Sequence, residues 1–452
     1  MSTTLPLTAE EITAFVARLR SGATVSGGKV TDPGDLIDVI AELESLKNTA
    51  AGLQADAAAV FDALRRSEHA AEGVPAARQG RGVANEIALA RHESPHRGRT
   101  LLGMAKVLTT EMPHTHARLI DGSLSEFRAM LLVRETACLA LPDRQRIDQE
   151  LCADPDTLTG LGTRHLLGRC RRLVVELDPA GAVRRASNAI RDRHVSIRPA
   201  PDTMTWVSAL LPVAQGVAVH AALTRAADQA RASGDPRSKG QVMADTLVHR
   251  ITRSAAVPGE EPVVPVGVTI TIPVTALAGG HDAAEIHANG TAPETLPAEI
   301  ARTLIAAGLT DPATTAHCWY RRLFVDPAGR LVALTSRSRD FPPGLADFLD
   351  LRGGGICATP WCDAPIRHTD HIQPAHQGGP TSAINGQGLC EACNHAKQAT
   401  GWTQRPQPDG TGQAVQTITP TGHHYQTRPP TPPGWRQPHY VLTQPGVYTL
   451  TA

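Results

Sequence analysis

The sequence predicts an α+β chain: a mainly helical N-terminal region, then a small mixed α/β segment, then a compact C-terminal unit clamped by cysteines. Three observations carry this. Apolar residues recur at helical spacing through most of positions 1–255 and switch to strict alternation near residue 266. Aromatic side chains are only 3 % of the chain, so the core must be built from Ala, Leu and Val on helices rather than from large rings in a sandwich. Four of the eight cysteines arrive as two close pairs, Cys357 with Cys362 and Cys390 with Cys393. A length of 452 residues suits about three domains. Composition shifts place them at 1–255, 262–340 and 345–402, followed by a Pro- and Gly-rich tail at 403–452 with room for one hairpin.

The elements follow in order. Thr8 and Glu11 form a capping box, and Ile12, Phe15, Val16 and Leu19 follow at helical spacing, so the first helix starts there. Over residues 35–66 apolar positions fall on a seven-residue repeat. Leu36, Leu43, Ala50, Ala57 and Leu64 lie on one row, and Val39, Leu46, Leu53 and Val60 on the next. Such a seam implies a long helix with a close neighbour, either inside an intramolecular bundle or across a homodimer. Residues 67–82 are polar, carry Gly and Pro, and read as a linker. Helical patterns at 84–91 and 94–108, with Ser94 as N-cap and Pro95 in the first turn, fit a helix-turn-helix or an ordinary helical hairpin. Further helices are expected at 126–140, 144–151, 164–173, 214–232 and 238–252. Val266, Val268, Ile270 and Ile272 alternate as a strand, residues 296–309 are helical, and 323–334 form a hairpin around an Asp326–Gly329 turn. The tail offers a second hairpin, 415–419 with 423–427, whose adjacent His423 and His424 face apart on a strand and read as structural.

Bulk properties narrow the function classes. Forty-four basic and 44 acidic residues cancel, so no whole-molecule positive field draws the chain to nucleic acid, and any attraction to phosphate is local. Arg clusters at 169–172 and 184–198 track an overall excess of Arg over Lys and count for little. Cys138, Cys152, Cys170 and Cys318 are scattered and read as buried free thiols. Met1 has no basic lead-in to an apolar run, and no stretch is long enough to cross a bilayer. A cytoplasmic protein without membrane contact is the expectation.

The paired cysteines name a chemistry. Cys-x4-Cys followed by Cys-x2-Cys brings four thiolates to one tetrahedral cation, and a closed sulfur shell marks a structural zinc. A segment of about fifty residues cannot rely on burial alone, whereas zinc supplies on the order of 10–16 kcal/mol. Between the pairs lie Asp370, His371 and Asn385. The stretch around Asp370 alternates as a strand, so Asp370 and His371 face apart unless the strand ends there. The last cysteine pair opens a helix on which Asn394 and Lys397 share a face while His395 is turned away. Asp370 and Asn394 then offer oxygen ligands to a hard divalent ion, Mg²⁺ or Mn²⁺, with His371 opposite.

This stretch resembles an HNH endonuclease, the ββα-metal fold, with His371 matching the first His, Asn385 the middle Asn, and Asn394 the position where many members carry the final His. The resemblance implies that His371 is the general base, that Asp370 and Asn394 hold the catalytic divalent ion, that Asn385 pins the loop, and that DNA is the substrate, with Lys397 a phosphate contact. Residues 195–201, 209–212, 321–326 and 359–366 are similar to actinobacterial HNH-signature proteins that carry a long helical domain of unknown function before the nuclease. The competing expectation is a non-catalytic zinc-containing DNA-binding protein that uses the helix-turn-helix-like segment. A third is an oligomeric scaffold built on the heptad helix.

Overall fold

The computed structural model describes residues 8–22, 33–200, 204–253, 268–288, 294–310, 340–407, 414–430, 439–444 and 447–451. The chain divides into two compact units, 1–185 and 186–452.

The first unit is a helical bundle. Helix α1 (Ala9–Gly22) begins at the expected capping box, where Thr8 Oγ1 accepts from the Glu11 amide at 3.2 Å and Glu11 Oε2 accepts from the Thr8 amide at 2.7 Å. Helix α2 (Pro33–Ala71) outruns the expected 35–66 and takes up the start of the expected linker. After it come α3 (Val83–Ala90), α4 (Pro95–Thr110), α5 (Pro113–Ile120), α6 (Glu126–Thr136), α7 (Leu141–Cys152), α8 (Thr163–Leu177) and α9 (Pro179–Ala189). Their core is the predicted mixture of Leu and Ala, with Ala105, Leu108, Leu132 and Leu166 fully buried.

Two expectations for this unit are corrected. The heptad rows of α2 are only partly its packing face: Leu36, Val39, Leu43 and Leu64 are exposed, while Leu46, Leu53 and Val60 are half-buried. The helix instead buries Asn48, Ala55, Asp62 and His69, also spaced by seven, together with Ala51 and Gly52. Small residues win because they admit close neighbours: a Cβ on Gly52 would lie 2.6 Å from Ile120 Cδ1. The polar members of the row are buried at tolerable cost because each is bonded. Asn48 donates to the Gly122 carbonyl at 3.0 Å, Asp62 receives Arg66 and Lys106, and His69 Nδ1 accepts from the Gly80 amide. This packing makes α2 part of an intramolecular bundle. The helix-turn-helix reading also yields to the plain hairpin. Ser94 caps α4 as expected, but α4 packs against α2, α3, α5 and α6, which leaves it as a bundle core rather than a groove reader. Of the scattered thiols, Cys152 and Cys170 are buried, Cys138 is exposed, and Cys318 lies outside the described residues.

In the second unit β1 (His194–Ala200) and β2 (Met204–Leu210), which the sequence did not announce, form an antiparallel hairpin. Helices α10 (Val213–Ala232) and α11 (Lys239–Arg253) pair next. Strands β3 (Val268–Thr271), β4 (Ala284–Ala288) and β5 (Glu294–Leu296) make an antiparallel sheet in that order, with the short α12 (Val274–Leu277) between the first two. Helix α13 (Ala298–Thr310) covers it, burying Ala301 against Ala284 and Leu296. The hairpin expected at 323–334 lies outside the described residues.

The C-terminal part carries the site. Helix α14 (Pro343–Arg352) precedes the paired strands β6 (His368–His371) and β7 (Gly386–Leu389), and α15 (Glu391–Lys397) follows directly. The expected tail hairpin is present as β9 (Ala414–Ile418) and β10 (His424–Thr427), joined by β8 (Thr403–Gln407) into a three-stranded sheet. Strands β11 (His439–Gln444) and β12 (Val447–Thr451) form a last hairpin. No helix among the described residues is long and apolar enough to cross a membrane.

Candidate nuclease site and its sulfur cluster

Cys357, Cys362, Cys390 and Cys393 are all buried, and their sulfurs lie within 4.8 Å of one another. The first pair sits on a closed turn, with the Cys357 amide donating to Ala364 and the Cys362 amide to Thr359. Trp361 at the turn adopts a left-handed φ of 57°. The second pair opens α15, where Cys390 is the N-cap and its sulfur accepts from the Cys393 amide at 3.4 Å. The Cys362 sulfur is 3.8 Å from that of Cys390 and 3.7 Å from that of Cys393. Sulfurs about 2.3 Å from a shared zinc would stand about 3.8 Å apart along the edge of a tetrahedron, and a disulfide would need about 2.05 Å. The cluster therefore fits a four-coordinate metal such as zinc. Crowding splits the four thiols. Hydrogen bonding led by Cys362 lowers Cys357 to about 7, bonding led by Cys357 lowers Cys390, and the same crowding raises Cys362 and Cys393. A soft dication lets all four ionise together.

Strand β6 delivers Asp370 and His371 at its end, and its pairing continues through His371 opposite Gly386. The two side chains are consequently received by different elements. The Asp370 carboxylate meets Lys397 of α15, with Lys397 Nζ donating at 2.5 Å, and the same ammonium donates to the His371 carbonyl. Lys397 is thus ion-paired within the site. Its burial lowers its pKa, partly offset by Asp370. The His371 imidazole is buried, with Nε2 2.9 Å from Thr381 Oγ1 and its ring centroid 4.6 Å from that of Phe341.

Asn385 pins the loop after β6. Its Oδ1 accepts from the Gln373 amide at 2.8 Å, and its Nδ2 donates to the carbonyls of Gln373 at 3.0 Å and Pro380 at 2.9 Å. Gly379 admits this clamp, since a Cβ there would lie 1.9 Å from the Gln373 carbonyl oxygen. Asn394 sits one turn before Lys397, and its Oδ1 is buried with no hydrogen-bond partner among the described residues. His395 points to solvent, as its rotation from Asn394 requires. In the tail, His423 bonds Thr421 and His424 bonds Gln416, so both have local structural partners.

The sequence reading missed Thr381, Phe341 and Arg352. Arg352 is buried at the end of α14 and donates to the carbonyls of Ala383 and Gly386. No local pattern marks these three, because each acts across a long stretch of chain. It also missed the polar latch of the tail sheet, in which Gln387 of β7 donates to Gln404 of β8 at 2.6 Å and Gln404 donates to Thr417 of β9.

Searches of curated proteins and of solved structures gave no match. Two family models do match. An HNH endonuclease model covers residues 356–400, the two cysteine pairs and everything between them. A second model, Domain of unknown function (DUF222), covers residues 40–352. The chain belongs to the DUF222 family and carries an HNH endonuclease domain after it.

Proposed function

We propose that the chain is a metal-dependent endonuclease that hydrolyses DNA phosphodiester bonds. The observation that carries this reading is the HNH endonuclease match over 356–400; the buried Asn394 Oδ1, without a hydrogen-bond partner among the described residues, agrees with it, on a helix that opens at the sulfur cluster and packs against the strand bearing Asp370 and His371. An oxygen acceptor left without a donor costs about 1–3 kcal/mol, and a cation repays it. Asp370 and Asn394 supply the oxygen donors that Mg²⁺ or Mn²⁺ prefers. When bound, such an ion supplies charge stabilisation to the phosphate and to the leaving oxygen.

His371 acts as general base. Its imidazole takes a proton from water, the oxygen attacks phosphorus, and the bond to the leaving oxygen breaks. Asn385 positions the loop behind the base, and a zinc held by Cys357, Cys362, Cys390 and Cys393 would tie α15 to the turn bearing the first pair. Lys397 neutralises Asp370, the carboxylate that would help hold the dication.

The test uses supercoiled plasmid with Mg²⁺, Mn²⁺ or EDTA, beside His371→Ala. Nicking that requires the dication and disappears in the variant, with zinc content unchanged, is the expected result. DNA binding without dication-dependent nicking in the unmodified chain would replace this reading with a non-catalytic zinc module.

A further inference from the structure

We propose that the last helix of the DUF222 match is a working part of the nuclease centre: Arg352 of α14, with Phe341 just before it, holds the imidazole of His371 in place through the Thr381 loop. This rests on the reading of His371 as general base. Neither Phe341 nor Arg352 falls within the HNH match at 356–400. Arg352 is 8 % exposed, and among the described residues its guanidinium meets no carboxylate. Its donors go to two backbone carbonyls, Ala383 and, at 2.6 Å, Gly386. These carbonyls bracket Asn385 and close the loop that begins at Thr381. Burial without a counter-charge lowers the guanidinium to about 10. The guanidinium carbon also lies 6.0 Å from the centroid of the Phe348 ring.

The contacts converge on one ring. Thr381 is buried and stands 2.9 Å from His371 Nε2. Whichever way the proton lies, this bond fixes the orientation of the ring. Phe341 lies against the ring at 4.6 Å between centroids. Helix and strand leave no slack, because a Cβ on Gly386 would sit 2.4 Å from Leu349 Cδ1 and 2.8 Å from Phe341 Cε1. Leu345 and Leu349 seal the underside against Ala383. A general base loses its advantage when its ring drifts by a fraction of an ångström, so Arg352, Thr381 and Phe341 are positioning residues for that base.

The test compares full-length Arg352→Met, Arg352→Lys and Thr381→Val with the unmodified chain and His371→Ala. It reads kcat and KM on plasmid, zinc content, and the ring ¹⁵N shifts of His371 in ¹⁵N-histidine-labelled protein. Arg352→Met should lower kcat on the order of 10–100-fold, with KM and zinc content little changed, and Arg352→Lys should recover part of the loss. In both Arg352→Met and Thr381→Val the His371 ring shifts should move. Unchanged ring shifts and unchanged kcat in Arg352→Met and Thr381→Val would overturn the proposal. If Arg352→Met loses zinc or fails to fold, Arg352→Lys and Thr381→Val decide it by the same criteria. An unmodified chain that never nicks, but whose His371 shifts respond to Arg352 and Thr381, would sink the nuclease reading and leave the socket standing.

Discussion

Cys390→Ser tests whether metal, rather than burial, holds the C-terminal unit. The variant is selective because serine is itself a good N-cap, so α15 keeps its cap while the sulfur cluster loses one ligand. Around that cluster the buried core consists of the four cysteines and Leu389, with only Ala358, Ala364 and Ala392 packed against it. Full burial of one leucine contributes about 1.5–3 kcal/mol, whereas a structural zinc contributes on the order of 10–16 kcal/mol. The zinc contribution is therefore larger than what this small cluster supplies by burial, and it is comparable with the whole stability of a typical domain, about 5–15 kcal/mol. Zinc release is followed with a chromogenic chelator and unfolding by limited proteolysis with mass spectrometry. The unmodified chain should hold one zinc and resist cleavage across 356–400. Cys390→Ser, or exhaustive chelation, should open that stretch while the bundle of the first unit stays protected. Full protection of 356–400 in zinc-free protein would refute the reasoning.

Other consequences are equally direct. Lys397→Met removes an ammonium 2.5 Å from Asp370 Oδ2; Mn²⁺ binding, followed by electron paramagnetic resonance, should tighten by about tenfold, the equivalent of roughly 1.4 kcal/mol of relieved like-charge repulsion. Unchanged or weaker binding would show that the ammonium does not compete for that carboxylate. Burial raises the Cys152 thiol to about 11 and that of Cys170 to about 12. Below pH 9 both are protonated in either state, but between pH 9 and 11 the unfolded chain releases protons that the folded one keeps. Stability of the first unit should therefore fall as pH rises, by about 1.4 kcal/mol per thiol per pH unit, and the Cys152→Ala/Cys170→Ala double variant should flatten that slope in urea titrations. Gly98→Ala should destabilise the bundle by about 1–3 kcal/mol or more, because its Cβ would stand 2.3 Å from the Ala84 carbonyl and 2.6 Å from Ala88 Cβ; a urea midpoint equal to that of the unmodified chain would contradict the close crossing of α3 and α4.

The legible features were those written in short spacings. The capping box at Thr8, the Ser94 cap and the tail hairpin at 415–427 depend on neighbours a few residues apart, and they stand where the pattern puts them. The two cysteine pairs read as one cluster for the same reason, since each pair is closed by a local turn. The Asn385 clamp was also within reach, because the HNH resemblance implied it, and its amide carries both a donor and an acceptor. The face of α2 was not legible. Seven-residue spacing marks two rows on this helix, and apolarity favours the one with Leu36, Leu43 and Leu64. The bundle chose the other, where Gly122, Lys106 and Gly80 each bond one polar member of that row from elsewhere in the chain.

By itself, then, the sequence determined that this chain is mostly helical at its N-terminal side, that four thiols share a centre, and that Asp370, His371, Asn385 and Asn394 belong to one small unit. Tertiary structure decided the partners: Lys397 on Asp370, Thr381 and Phe341 on His371, and Arg352 on the carbonyls of Ala383 and Gly386. Arg352 and the carbonyls it holds lie more than thirty residues apart, so no local period encodes the pairing. Only the close approach of α14 to β7, where Gly386 leaves no room for a side chain, brings those donors and acceptors within bonding distance.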